Sequence, residues 1–251
     1  ISNPVGTLGD EFTILAEAGI TTNPENGRLV INDATLDKQL DQNFDKFIAL
    51  FAAFGETADA QTNFISSTDD TVVGNYAVNI TTLASQGKLV GSSAANLTIV
   101  EGSNDALSLS IDGVTASITL GAGTYTAAEL ITEVKARINS VEAFVDAGIS
   151  VDVSESAGVL SLTSRSYGSD SRVEITGGNG QTDLVGAAAT STDGVDVAGT
   201  IGGVAATGKG QLLTGAGDAA GLLVEITGVT LGDRGSVDFK RGYAEQLGSY
   251  L

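Results

Sequence analysis

The sequence predicts an α+β protein, mainly β, with an antiparallel β-rich head and a small helical base. Three observations carry this reading. Short apolar runs with a period of two recur between turns, and 33 glycines are spread through 251 residues, a strand-and-turn composition. Helical spacing is confined to a few segments, most of them near the start. Hydrophobic residues make up 42% of the chain but aromatics only 5%, so a core exists and must be built from Val, Ile, Leu and Ala.

The stretch from Asp105 to Asn139 organises the rest. Leu107, Leu109 and Ile111 alternate with polar residues, as do Val114, Ala116, Ile118 and Leu120, so each strand turns one face to a core. Asp112-Gly113 between them suits the positive φ angles of a type I′ turn. After Gly121-Ala122-Gly123 the period becomes helical, through Ala127, Leu130, Ile131, Val134 and Ile138. Thr126 and Glu129 have the spacing of a capping box, whose N-cap contributes about 1 kcal/mol. Ile149, Val151 and Val153, a turn at Ser156-Ala157-Gly158, and Val159–Leu162 return to strand. The expected unit is ββ-α-ββ, one sheet with a helix across it.

Upstream, Leu8, Phe12 and Leu15 predict a helix over Thr7–Ala18, with Gly19 as its stop. A turn at residues 23–27 leads to a short strand at Arg28–Ile31. Leu36, Leu40, Phe44, Phe47, Ile48 and Phe51 then form a helical stripe that Asp33 can cap and Asn43 can break. Residues 55–73 read as a polar connector with one strand at Asn63–Ile65. Tyr76, Val78 and Ile80 open a new strand, and Gly186–Thr192 reads as a boundary loop. A hairpin turns at Gly202-Gly203, strands follow at Leu222–Ile226 and Ser236–Phe239, and a helix is expected from Arg241.

The net charge of −19 disfavours phosphate backbones and anionic lipid, so neither nucleic acid nor membrane insertion is expected, and no run of about 18 apolar residues occurs. Cys and His are absent, which removes Ser-His-Asp and Cys-His catalysis, His-bound zinc and thiolate metal sites. Gly203–Lys209 fits G-x-x-x-x-G-K, but Gly210 stands where a phosphate loop needs Ser or Thr, and no helical period follows. Gly177–Asp183 approaches a calcium nonapeptide only once, and Asp69-Asp70 and Asp193/Asp196 lack a 12-residue ligand loop. The expectation is no enzyme, no cofactor and no metal. Tyr125, Tyr167 and Tyr243 are the aromatics open to a contact role; Tyr167, in a polar Ser-Tyr-Gly-Ser loop, is the leading candidate and Tyr125 the second. Ile1 is no start residue and no signal peptide is visible, so the chain is expected to be an excised fragment.

Residues SLSIDGVTASITL, the helix closing on Ile138-Asn139, and GVLSLTSRSYGSDSRVEITG resemble the "IN" motif of flagellins and of the flagellar filament cap protein family, hook-associated protein 2. AEAGITTNPENGRLVINDATLDKQLDQNFDKFIALF resembles a block of the cap family that flagellins lack, and DVAGTIGGVAATGKGQLLTG and GDRGSVDFKRGYAEQL resemble its passage from outer domain back to leg. The resemblance implies a helical leg portion and connector (1–72), an inner β subdomain (74–95 plus 191–238), an outer subdomain with the IN motif (96–190) and a returning leg helix (239–251). Residues near 73 and 238 should then lie side by side. It also implies a non-enzymatic, extracellular cap at the filament tip, homo-oligomeric and holding flagellin, exported without a cleaved signal. An outward-facing adhesin module that binds host surface glycans is the alternative. Because the leg is incomplete, the fragment itself is expected to be a monomer.

Overall fold

The computed structural model describes residues 15–242. Most of the helix expected over Thr7–Ala18 lies outside them, but the stop at Gly19 is seen. Gly19 takes φ +82°; its N–H bonds the Ala16 carbonyl at 3.1 Å, and that of Ile20 bonds the Leu15 carbonyl at 2.9 Å. This is a Schellman stop, whose left-handed position glycine takes without strain. A ribbon of β1 (Ile20–Thr22) and β2 (Leu29–Ile31) follows. Next come α1 (Asp33–Gln42) and α2 (Phe44–Phe51), broken at Asn43. The cap of α1 is Asn32 rather than Asp33, because Asn32 Oδ1 reaches the Thr35 N–H at 3.1 Å. Leu50 is fully buried with Leu15 and Ala18, whereas Phe44 of the expected stripe stays 57% exposed.

The chain continues through β3 (Ala53–Thr57), β4 (Thr62–Ser66), β5 (Gly74–Thr82), β6 (Gln86–Val90), β7 (Thr98–Ile99), β8 (Ala106–Ile111), β9 (Val114–Thr119) and β10 (Gly123–Thr124) to the helices α3 (Ala127–Asn139) and α4 (Glu142–Asp146). It then forms β11 (Val151–Ser156), β12 (Val159–Tyr167), β13 (Val173–Gly177), α5 (Gln181–Val185) and β14 (Thr190–Thr192). The last strands are β15 (Ala198–Ile201), β16 (Val204–Lys209), β17 (Leu212–Thr214), β18 (Leu223–Ile226) and β19 (Gly232–Arg241).

Eight strands form one antiparallel sheet in the order β3-β19-β5-β15-β16-β17-β18-β4. The edge strands β3 and β4 are consecutive in the chain and touch, so the sheet curls into a barrel with an unbonded seam. The Phe64 ring closes that seam by lying over Gly55, where a Cβ would sit 2.4 Å from it. Tyr76, Val78, Ile80, Val224, Val237 and Phe239 fill the interior. The expected connector over 55–73 is thus corrected to two barrel strands. β19 runs through Arg241, so the expected returning helix does not begin there; the rest of that expected helix, with Tyr243, lies outside the described residues. Phe239 pairs with Gly74 and Asp238 with Asn75, so residues near 73 and 238 lie side by side, as expected.

A second core gathers Leu109, Ile111, Leu130, Ile138, Phe144 and Leu162. The expected single ββ-α-ββ sheet is replaced by two, β13-β8-β9 and β11-β12-β6-β14. The two hairpins never meet edge to edge: β8 takes β13 as its third strand, and β12 takes β6. β6 lies within the segment 74–95 assigned from sequence to the inner unit, yet its Leu89 packs in this second core, and β14 pairs with it. The chain passes between the two cores beside an isolated bridge from Ser85 to Val195. α3 carries the expected capping box, with Thr126 Oγ1 accepting from the Glu129 N–H and Glu129 accepting from the Thr126 N–H.

Three two-residue turns have both φ angles positive: Asp112-Gly113 (49° and 85°), Ala157-Gly158 (52° and 83°) and Gly202-Gly203 (63° and 79°). This is the type I′ geometry, and alanine suits it worst because its Cβ crowds the following carbonyl. Ala157→Asn is therefore expected to stabilise the protein by about 0.5–1 kcal/mol. A urea midpoint unchanged or lowered by the substitution would contradict the strain.

Candidate interaction surfaces

Where the barrel meets the second core, glycines let backbones approach and one carboxylate joins them. Asp196 accepts from the Ser169 hydroxyl at 2.6 Å, from the Gly210 N–H at 2.7 Å and from the Ser169 N–H at 3.0 Å. Ser169 follows β12 of the second core, and Gly210 joins two barrel strands, so the carboxylate spans the neck. Gly168 donates to the Ser85 carbonyl at 2.9 Å, and a Cβ on it would sit 2.3 Å from Asp196. The Ser169 hydroxyl, then the Gly210 and Ser169 amides, hold the Asp196 carboxyl below its ordinary value of 3.8. A depressed folded value means the contribution is present above 3.8 and is lost as pH falls through the folded value. Asp196→Asn is expected to flatten the acid limb of stability below that pH, which acid titration followed by circular dichroism checks.

Tyr167 ends β12 beside this neck, 40% exposed, with Gly210 packed against its backbone. Tyr125 lies elsewhere, at the start of α3, half-buried against the second core, its hydroxyl donating to the Gly121 carbonyl at 2.7 Å. The two tyrosines share no neighbour in these contacts and do not form one site. The paired Asp193/Asp196 of the sequence are also parted. Asp193 meets Arg172 at 3.3 Å, while Asp196 serves the neck. Gly203–Lys209 is a turn running into β16, not a phosphate loop. Asn179 and Asp183, within the calcium-like stretch, bind Asp105 and Asn104 instead. Among the described residues no cluster of three or more Asp or Glu is placed to hold a metal, and no helix is long and apolar enough to cross a membrane.

Sequence patterns missed two residues. Asp196 reads as one more loop acid, and only its spacing between the glycines at 194 and 199 sets it apart. Asn139, noted as part of a motif, has a definite task. Its side-chain amide donates to the Val151 carbonyl at 3.0 Å and accepts from the Val151 N–H at 2.8 Å, tying the end of α3 to the outer strand β11.

Residues 1–99 match the family described as flagellar hook-associated protein 2 C-terminus. Among solved structures, the D1-D2-D3 domains of the flagellar cap protein FliD from Escherichia coli superpose with a TM-score of 0.53 at 17% identity, over 80% of this chain and 58% of that one. The chain has a flagellar cap fold. The D2-D3 domains of the same Escherichia coli protein are similar at a TM-score of 0.49 and 17% identity, over 75% of this chain and 98% of that one. No curated protein sequence matches the chain. The chain thus spans 58% of the length of the larger cap structure, and its cap fold comprises the barrel, the second core and the short helical base.

Proposed function

We propose that the chain is the outer part of a flagellar filament cap, a non-enzymatic component at the extracellular filament tip that oligomerises with itself and holds flagellin during assembly. The observation that carries this is the family match over residues 1–99, which contains the base block that flagellins lack. The chemistry agrees: with no His and no Cys, and with Asp193 and Asp196 engaged by Arg172 and by the neck, the surface works by shape and contact. We divide the chain into base, barrel and outer unit, with the passage between the last two at Ser85 and Val195 rather than at the limits of 96 and 190 that the resemblance implies. The test removes the gene from a flagellated host and returns the full-length protein or nothing. Restored filaments with the gene, and flagellin shed into the medium without it, are expected. Normal filaments without the gene would refute the reading.

The surface we assign to contact is the neck around Tyr167, the more exposed of the two tyrosines. Tyr167→Ala is expected to leave the melting temperature within about 2 °C, as exposed side chains do, while weakening flagellin capture. If the variant instead loses binding to mucin and keeps filament assembly, the outer unit is an adhesin for host glycans.

A further inference from the structure

The four edges of the two outer sheets are finished differently. β11 is shut by Asn139, which occupies both backbone groups of Val151. β14 has only three residues. β13 is bulged between Ile175 and Gly177 and carries Glu174, paired with Arg172 at 2.5 Å. β9 has none of these devices, and α4, which lies alongside it, makes no backbone hydrogen bond to its outer row among the described residues. Its six residues, Val114–Thr119, run in unbroken register with β8 and include no charge, no proline and no bulge. Edges are usually blunted by such means, because an open row of N–H and C=O groups is a template for another strand.

The hairpin fixes which groups are open. Ile111 and Val114 flank a two-residue turn and are hydrogen-bonded to each other, so Ala116 and Ile118 are the next bonded positions. The backbone groups of Thr115, Ser117 and Thr119 therefore face away from β8, and among the described residues no backbone bond from a turn or loop engages them. Val114 and Ala116, on the core side of the strand, are only half-buried, so an added strand would cover them.

We propose that β9 is a docking edge that takes an extended segment of another polypeptide, one carrying Lys or Arg, as an added strand. Resting on the cap reading, that segment belongs to an incompletely folded subunit. Charge selects this occupant. No Lys or Arg occurs from Leu89 to Val134, so a basic segment is drawn to this edge, whereas the β9 of a second copy brings no cation to it.

The test uses the full chain and a short fluorescein-labelled peptide of alternating Thr and Val with lysine ends, read by anisotropy and by amide hydrogen exchange. Before addition, the Thr115, Ser117 and Thr119 amides should exchange quickly while Ala116 and Ile118 are protected; the peptide should protect the first three. Ser117→Pro removes an outward N–H and spares the pairing to β8, and it should weaken binding at least about tenfold. Should that variant fail to fold, Ser117→Lys, which sets a charge on the edge, should weaken binding similarly. A peptide with glutamate ends should bind more weakly than the lysine one. No binding, or binding unaffected by both variants, overturns the proposal. So does a dimer in light scattering whose β9 amides are protected, which would give the edge to a second copy. Filament assembly in cells decides the cap reading separately, so either can fail alone.

Discussion

Gly208→Ala is expected to lower barrel stability by about 4 kcal/mol or more, among the largest effects a single methyl group can have. Gly208 sits in β16 facing Leu213, and an added Cβ would lie 1.7 Å from the Val197 carbonyl oxygen. Both sides of that contact are backbone, so no side chain can swing aside. Val197 is itself held, its N–H donating to the Gly210 carbonyl at 2.9 Å. Urea unfolding followed by Tyr fluorescence checks this, since the chain has no Trp and Tyr76 lies in the barrel core. A wild-type midpoint for the variant would show that the two backbones are not in contact.

Phe144→Ala is expected to cost about 3–5 kcal/mol, the range for emptying a fully buried aromatic site. Phe144 is 0% exposed in the second core, and its helix is locked on both sides. Its N–H bonds the Val141 carbonyl, and its own carbonyl accepts from Ile149 at 2.8 Å. Collapse around the cavity is therefore resisted. The loss should appear in amides of α3, β8 and β12, which pack in that core, with those of the barrel strands less affected. Equal loss in both would mean that the two cores unfold as one unit.

Legibility in the sequence followed where the chemistry of an element resided. The hairpin at Asp112-Gly113, the Thr126/Glu129 box and the strand Tyr76–Ile80 were readable because turn, cap and apolar face are all local. β3 was not readable, because its inward position is Gly55 and the ring filling that space is Phe64 of the next strand. A strand whose core is supplied by its neighbour shows no alternation of its own. β6 was assigned to the wrong partner for a related reason: Leu89 alternates equally well for either core, and only long-range pairing decides between them. Of the candidate surface, Tyr167 was expected in a polar loop but ends β12, paired with Gln86 across a break in register, whereas the Asp196 clamp depends on backbone amides from Ser169 and Gly210, which no pattern of side chains announces.

The order of strands in the barrel also governs when it can come into being. β19 lies between β3 and β5, so these two early strands are joined only through the latest one. A chain emerging from its first residue onward holds β3 unmatched until residues 232–241 arrive, and β5, whose other neighbour is β15, lacks its second partner until then. Residues 86–192, by contrast, contain every strand of their own two sheets, and only contacts at the neck, such as that of Asp196 with Ser169, wait for what lies downstream. The upper globule can thus gather its own strands while its support is still open, and the final ten-residue strand is the latch that joins β3 to the rest of the support.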